Sequence, residues 1–179
     1  MRRLTSVLLL VCLGLAAGCG YKWVRYQGAL GDARRIAIYP FRNDSFDAGV
    51  DSMVTDALYR EFLRRGALQV VDDPRLADLI LSGSVQSIDT RGRTFSSVDF
   101  SLEYQVRMRL EVTVIRNDES LTEEEAEVTL DPRAMVESEL YLASADVEAT
   151  RTNREEALRR LSSLLAGRVH DALYERVNP

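Results

Sequence analysis

The strongest constraint in this sequence is a stretch of strict alternation. Phe100, Leu102, Tyr104, Val106, Met108, Leu110, Val112 and Val114 take every second place; Ser101, Glu103, Gln105, Arg107, Arg109, Glu111 and Thr113 fill the places between. A period of two held over fifteen residues belongs to a β-strand. On a helix the same residues would be spread around the whole circumference. One face of this strand has to be buried and the other wet. That favours an antiparallel sheet covered on one side only.

The rest of the chain supplies elements able to cover it. Arg35-Ile36-Ala37-Ile38-Tyr39 is a short β-branched run ended by Pro40, which reads as a strand. Asn43-Asp44-Ser45 is turn chemistry, and Asp47 suits the cap of a helix over roughly 48–65. In that helix Val50, Met53, Val54, Ala57, Leu58 and Phe62 follow helical spacing, and Gly66 suits its stop. Leu68-Gln69-Val70-Val71 reads as a second strand, and Asp72-Asp73-Pro74 as a turn or short helical piece. A third strand runs from Leu79 to about Ile88, with Gly83 marking a bulge or a close contact. After the Asn117-Asp118 turn, residues 122–130 alternate like a hairpin partner, whose Glu residues are expected opposite Arg107 and Arg109. Residues 131–150 select no element. Thr152-Asn153-Arg154-Glu155 has the form of a capping box. Behind it Leu158, Leu161, Leu165, Val169, Ala172 and Leu173 form a helical stripe. The order is β-α-β-β-β-β-α, and a two-layer α+β sandwich lets the two amphipathic helices and the amphipathic sheet bury one another.

The N-terminus is of a different kind. Arg2 and Arg3, the apolar run Leu8 to Leu15, and the small residues Ala16-Ala17-Gly18 before Cys19 have the anatomy of a secretory signal. The apolar run is too short for a permanent membrane helix. Leu15-Ala16-Ala17-Gly18-Cys19 resembles the lipobox of bacterial lipoproteins, with Ala16 where Leu is commonest. That resemblance implies cleavage before Cys19 and acyl chains on it. The plainer alternative is an ordinary signal that leaves Cys19 free. The division expected is a signal peptide at 1–18, a lipidated tether at 19–34, and one domain at 35–179. Residues 1–18 hold two Arg and no acid, so their removal takes the formal charge from −5 to −7.

Composition excludes several classes. With 46% hydrophobic and 28% charged residues, the chain can form a core and is not disordered. Its acidic balance argues against nucleic acid as a partner. One His and two Cys, both Cys within the first nineteen residues, argue against a zinc site and a disulfide scaffold. There is no glycine-rich phosphate loop. His170, beside Asp171 in the last helix, has no nucleophile motif near it and reads as an exposed or half-buried helix residue rather than a base. Glu123-Glu124-Glu125 reads as a solvated edge rather than a metal site. The expectation is therefore a protein with no catalytic residues and no metal, not an enzyme. Every cation but Lys22 is Arg, whose fork binds phosphates at two points. Arg91 and Arg93 are expected in a loop between strands, and Arg151 at the start of the last helix. The loop pair suits an anionic lipid headgroup; a solvated loop is the plainer reading.

Several strings, in order, resemble the LptE family of lipopolysaccharide-assembly lipoproteins. They are Cys19-Gly20-Tyr21, Ile36-Ala37-Ile38-Tyr39-Pro40-Phe41 with Asn43, Ala77-Asp78-Leu79-Ile80-Leu81-Ser82-Gly83, Glu103-Tyr104-Gln105 and Asn153-Arg154-Glu155-Glu156-Ala157. The stretch from Lys22 to Gly31 is longer than the family's compact form. The resemblance implies a mostly antiparallel sheet of about four strands with two helices on one side. It implies a lipoprotein of the Gram-negative outer membrane that plugs the LptD β-barrel and helps it assemble. It also implies a part in lipopolysaccharide transport, with lipopolysaccharide contacted by basic residues near strand connections. Arg91 and Arg93, with Arg151, are the residues that would serve. The only attached group implied is the covalent lipid on Cys19, palmitate among its chains; no other cofactor is expected. Small β-α-β lipoproteins with a similar Ala-Asp strand also activate cell-wall synthases, and this is the alternative.

Overall fold

The computed structural model describes residues 33–94, 102–118 and 121–177. The signal peptide at 1–18, Cys19 and the tether up to residue 32 lie outside the described residues, as do Phe100 and Ser101. The elements in chain order are β1 (Arg35–Ile38), β2 (Arg42–Asn43), α1 (Val50–Arg65), β3 (Gln69–Val70), a 3-10 turn (Pro74–Leu76), β4 (Leu79–Thr94), β5 (Leu102–Arg116), α2 (Glu123–Ala126), β6 (Glu127–Thr129), β7 (Val136–Ala143) and α3 (Val147–Val177).

One mixed sheet contains all seven strands. Its spine is β3-β1-β4-β5, with β1 parallel to both β3 and β4, and β4 antiparallel to β5. β7 pairs with the first half of β5 and β6 with its last residues, both antiparallel. β2 continues the line of β1 along β4. Strands β2, β3 and β6 have only two or three residues, so β1, β4, β5 and β7 form the body of the sheet. This is the α+β architecture that the amphipathic pattern implies.

The alternation of β5 works as its sequence suggests. Val106, Met108, Leu110, Val112 and Val114 are buried, while Arg107, Arg109 and Glu111 are exposed. On the covered face they meet Val54, Leu58 and Phe62 of α1 and Leu158, Leu161, Leu165 and Val169 of α3 in one core. Gly83 marks a close contact. An added Cβ would stand 2.3 Å from the Glu111 carbonyl oxygen and 2.6 Å from the Phe41 ring. Gly66 ends α1 in the left-handed conformation at φ 63°, its N–H donating to the Phe62 carbonyl.

Several sequence expectations shift. Asp47 does not cap α1, which starts from Gly49 at φ 81°. The Asn43 amide closes the preceding loop by donating to the Asp47 carbonyl at 2.7 Å. The Asp47 carboxylate goes instead to Arg154 of α3, at 2.7 Å. Nor does the capping box start α3. The helix starts at Val147, where the Asp146 carboxylate accepts from the N–H groups of Glu148 and Ala149. Residues 122–130 do not form one long hairpin arm. A true capping box between Thr122 and Glu125 turns 123–126 into helix, and only 127–129 pair with β5, opposite 113–115. The strand opposite Arg107 and Arg109 is β7, which places Ser138 and Val136 there, not glutamates. β7 itself occupies the stretch that selected no element. β4 continues to Thr94, so Arg91 and Arg93 belong to a strand and not to a loop.

Candidate functional site

Both long helices lie on one face of the sheet, and among the described residues no helix covers the other face. Register fixes what it displays, since residues opposite one another in a ladder share a face. Three rows cross β4, β5 and β7: Ser87, Arg109 and Val136; Asp89, Arg107 and Ser138; Arg91, Gln105 and Leu140. In the row beyond, Glu103 stands opposite Leu142. Rows on one face are about 7 Å apart, two residues of strand rise. The Gln105 amide donates to the Ser138 hydroxyl at 2.9 Å. Leu140 and Leu142 are 42% and 60% exposed.

The arginines of this face stand close together. Among the described residues, Arg91, Arg93, Arg107 and Arg109 make no ion pair, although Arg34, Arg60, Arg116 and Arg133 elsewhere in the described fold also lack one. On the helix side most arginines are matched with acids, Arg60 excepted. Arg160 meets Glu139 at 2.8 Å, Arg65 meets Asp171 at 2.7 Å, and Arg168 meets Glu137. Three arginines, with Asp89 between them and Glu103 and Glu111 in the flanking rows, stand next to exposed leucines and can take an amphiphile with phosphate or carboxylate groups. A bidentate guanidinium gives each anionic group a defined place.

Sequence reading located part of this cluster. Arg91 lies within it, and Arg93 follows at the β-bulge near the end of β4. Arg151 does not join it. It lies on the second turn of α3, and Glu148 holds it at 2.7 Å; that bond, with the charge of Glu148, keeps the guanidinium pKa above its ordinary value. Cys19 lies outside the described residues. Arg107 and Arg109 are the residues that sequence reading missed. Their signal was present: they are consecutive polar positions of the alternation, hence neighbours on its wet face. Arg154, paired with Arg151 in the sequence, is a positioning residue. It joins Asp47 on the β2–α1 loop to the buried Tyr141, whose hydroxyl also shares a hydrogen bond with Thr90. Next to it Asn153 donates to the Leu142 carbonyl at 2.8 Å. These bonds fix the start of α3 to the arginine end of the sheet.

His170 is neither exposed nor half-buried; it is 1% exposed, its ring 5.1 Å from that of Phe62 and 4.5 Å from that of Tyr174. Burial, helped by the Arg65 charge, lowers its pKa and keeps it neutral. Glu123, Glu124 and Glu125 form the exposed first turn of α2. Among the described residues no group of His, Cys, Asp and Glu is placed to hold a metal ion. None of the described helices, α3 included, is long and apolar enough to cross a membrane.

The model of a family described as LptE, lipopolysaccharide-assembly, matches residues 33–173. No curated protein sequence matches the chain. Among solved structures, rare lipoprotein B from Shewanella oneidensis is similar at 15% identity and a TM-score of 0.48, covering 80% of this chain and 96% of that one. A hypothetical protein from Chlamydia trachomatis is similar at 8% identity and a TM-score of 0.49, covering 79% of this chain and 98% of that one. A minor lipoprotein from Acinetobacter baumannii is similar at 11% identity and a TM-score of 0.47, covering 80% and 94%.

Proposed function

The chain belongs to the LptE lipopolysaccharide-assembly family, and from that premise we propose that it works as a plug and assembly partner of an LptD-like β-barrel and takes part in lipopolysaccharide transport. The family is one of non-enzymatic assembly lipoproteins. In this reading residues 1–18 are the signal, Cys19 carries the lipid, residues 19–34 are the tether and residues 35–179 are the working domain. The anchor holds the protein to the outer membrane, and the domain stands in the barrel lumen. A barrel lumen is polar. A sheet face of arginines, acids, serines and glutamine suits it better than an apolar one would.

The observation that carries the ligand half is the unpaired arginine cluster of the sheet face opposite the helices. Lipopolysaccharide presents phosphates on an acylated sugar base. Arg91, Arg107 and Arg109 are spaced to bind anionic groups, and Leu140 and Leu142 offer apolar contact beside them. Arg93 extends the cluster toward the β4–β5 connection. Arg151, already occupied by Glu148, contributes at most long-range charge.

The test is binding of purified lipopolysaccharide to the triple variant Arg91→Ser, Arg107→Ser and Arg109→Ser. A charge-assisted hydrogen bond contributes about 1.5–3 kcal/mol, so each lost arginine is expected to weaken binding about tenfold or more. Arg151→Ser is expected to bind almost as the parent does. Unchanged affinity of the triple variant across several salt concentrations would remove the sheet face from the reading. Recovery of an LptD-sized barrel with the protein from mild detergent tests the partner half.

A further inference from the structure

At the opposite end of the molecule from the free arginines lies a recess of about 600 Å³. Its walls include Leu121, Val128, Leu130 and Leu173, and its rim carries Arg116 and Glu125. Val128 is 37% exposed within it. We propose that this recess is the docking site of the chain's own segment 21–26, with Trp23 and Tyr26 as the inserted side chains. The proposal is independent of the lipopolysaccharide reading.

Three observations choose this occupant. The first is where the chain leaves the described fold. Ala33 packs against the core, and the N–H groups of Arg34 and Arg35 donate to the Asp78 carboxylate at 2.8 and 2.9 Å. Asp78 directly precedes Leu79, which also lines the recess. The described chain therefore begins beside the mouth of the recess. From Ala33 back to Trp23 the chain reaches about 33 Å when extended. The mouth lies only two or three strand spacings from β1, or about 15 Å.

The second is composition. Tyr21-Lys22-Trp23-Val24-Arg25-Tyr26 holds three aromatic residues and one valine in six positions. A Trp or Tyr ring buries about 150–250 Å², on a scale that suits a recess of this size. The third is charge. Lys22 and Arg25 come with no acid between Tyr21 and Tyr26. Beside the recess, Glu123, Glu124, Glu125 and Glu127 are exposed, and no arginine pairs with them among the described residues. A basic aromatic strap is complementary to an apolar groove with an acidic edge. Docking would shorten the tether and fix which end of the domain faces the anchor.

Trp23 is the only Trp, so intrinsic fluorescence reads the proposal directly. In the full chain in detergent, Trp emission should be blue-shifted and protected from acrylamide. Leu121→Glu with Val128→Glu should shift the emission to the red and remove the protection. Leu142→Glu, at the far end, should leave both unchanged. If the groove variants fold poorly, Lys22→Glu with Arg25→Glu gives the same readout, since these lie outside the described fold. Solvent-like emission in the parent would overturn the proposal. So would blue emission indifferent to the groove variants and to the charge variant, which would put Trp23 in the micelle. Protection that falls on dilution of the protein at constant detergent would assign the groove to a second copy and overturn it equally.

Discussion

Gly83 shows how one residue can fix a fold locally without unusual backbone. The atom nearest to an added Cβ is a main-chain oxygen, that of Glu111, held in the β4–β5 ladder opposite. It cannot swing aside as a flexible side chain would. Gly83→Ala is therefore expected to destabilise the protein by about 3 kcal/mol, read from the urea midpoint, at the upper end of overpacking costs. His170 supports a second expectation at this scale. Burial lowers its pKa in the folded state, while the unfolded chain protonates near the ordinary value of 6.5. Above that value both states are neutral and the full stability is present. As pH falls below it the unfolded state takes up a proton that the folded state resists, so stability declines. His170→Phe should flatten the dependence of the urea midpoint between about pH 7 and about pH 5. The close contact at Gly83 was legible in the sequence because glycine in a strand has few other uses. The burial of His170 was not. Its polar character and its neighbour Asp171 suggest exposure, and only the fold brings Phe62 against it.

At the scale of elements, periodicity located the long pieces and local signals misplaced their ends. α3 carries the expected stripe, yet it starts more than a turn before Thr152. The two possible starts make opposite predictions. Asp146→Ala removes a side chain that accepts from the first helical N–H groups and should cost about 1 kcal/mol. Thr152→Ala falls inside the helix, where alanine is the better former, and should be neutral or slightly stabilising. Thermal melts of the two variants separate them. The Thr152-Glu155 pattern misleads because a capping box and an ordinary helix turn are written with the same residues. The strand order was harder still. β7 has Glu137 and Glu139 on its covered face, where a period-two reading expects apolar residues. Arg168 and Arg160 of α3 neutralise them there, so the polar letters of β7 make sense only once the helix is placed over the strand. The extra length of β4 was hidden in the same way, since Asp89 to Thr94 reads as loop chemistry until the alternation of β5 supplies its partner.

At the scale of the molecule, two layers leave two outer surfaces of unlike character. The helix layer shows Leu63 and Leu164, 64% and 49% exposed, among arginines already matched with acids such as Arg64 with Glu61 and Arg159 with Glu155. The sheet layer shows Leu140 and Leu142 next to arginines that close no ion pair, although Asp89 stands opposite Arg107. Unspent charge is what a partner or ligand can use, whereas a matched pair must first be broken and desolvated. If the protein plugs a barrel as proposed, the sheet face is thus the one expected to turn toward the barrel wall, with anionic headgroups between the two surfaces. Each surface carries an exposed leucine pair, which makes a controlled comparison available. Leu140→Asp with Leu142→Asp and Leu63→Asp with Leu164→Asp should each leave the unfolding free energy in urea within about 0.5 kcal/mol of the parent, as surface changes do. Recovery of the barrel from mild detergent should fail for the sheet pair and persist for the helix pair. The reverse pattern would turn the plug around in its barrel and assign the arginine cluster to the side facing away from the wall.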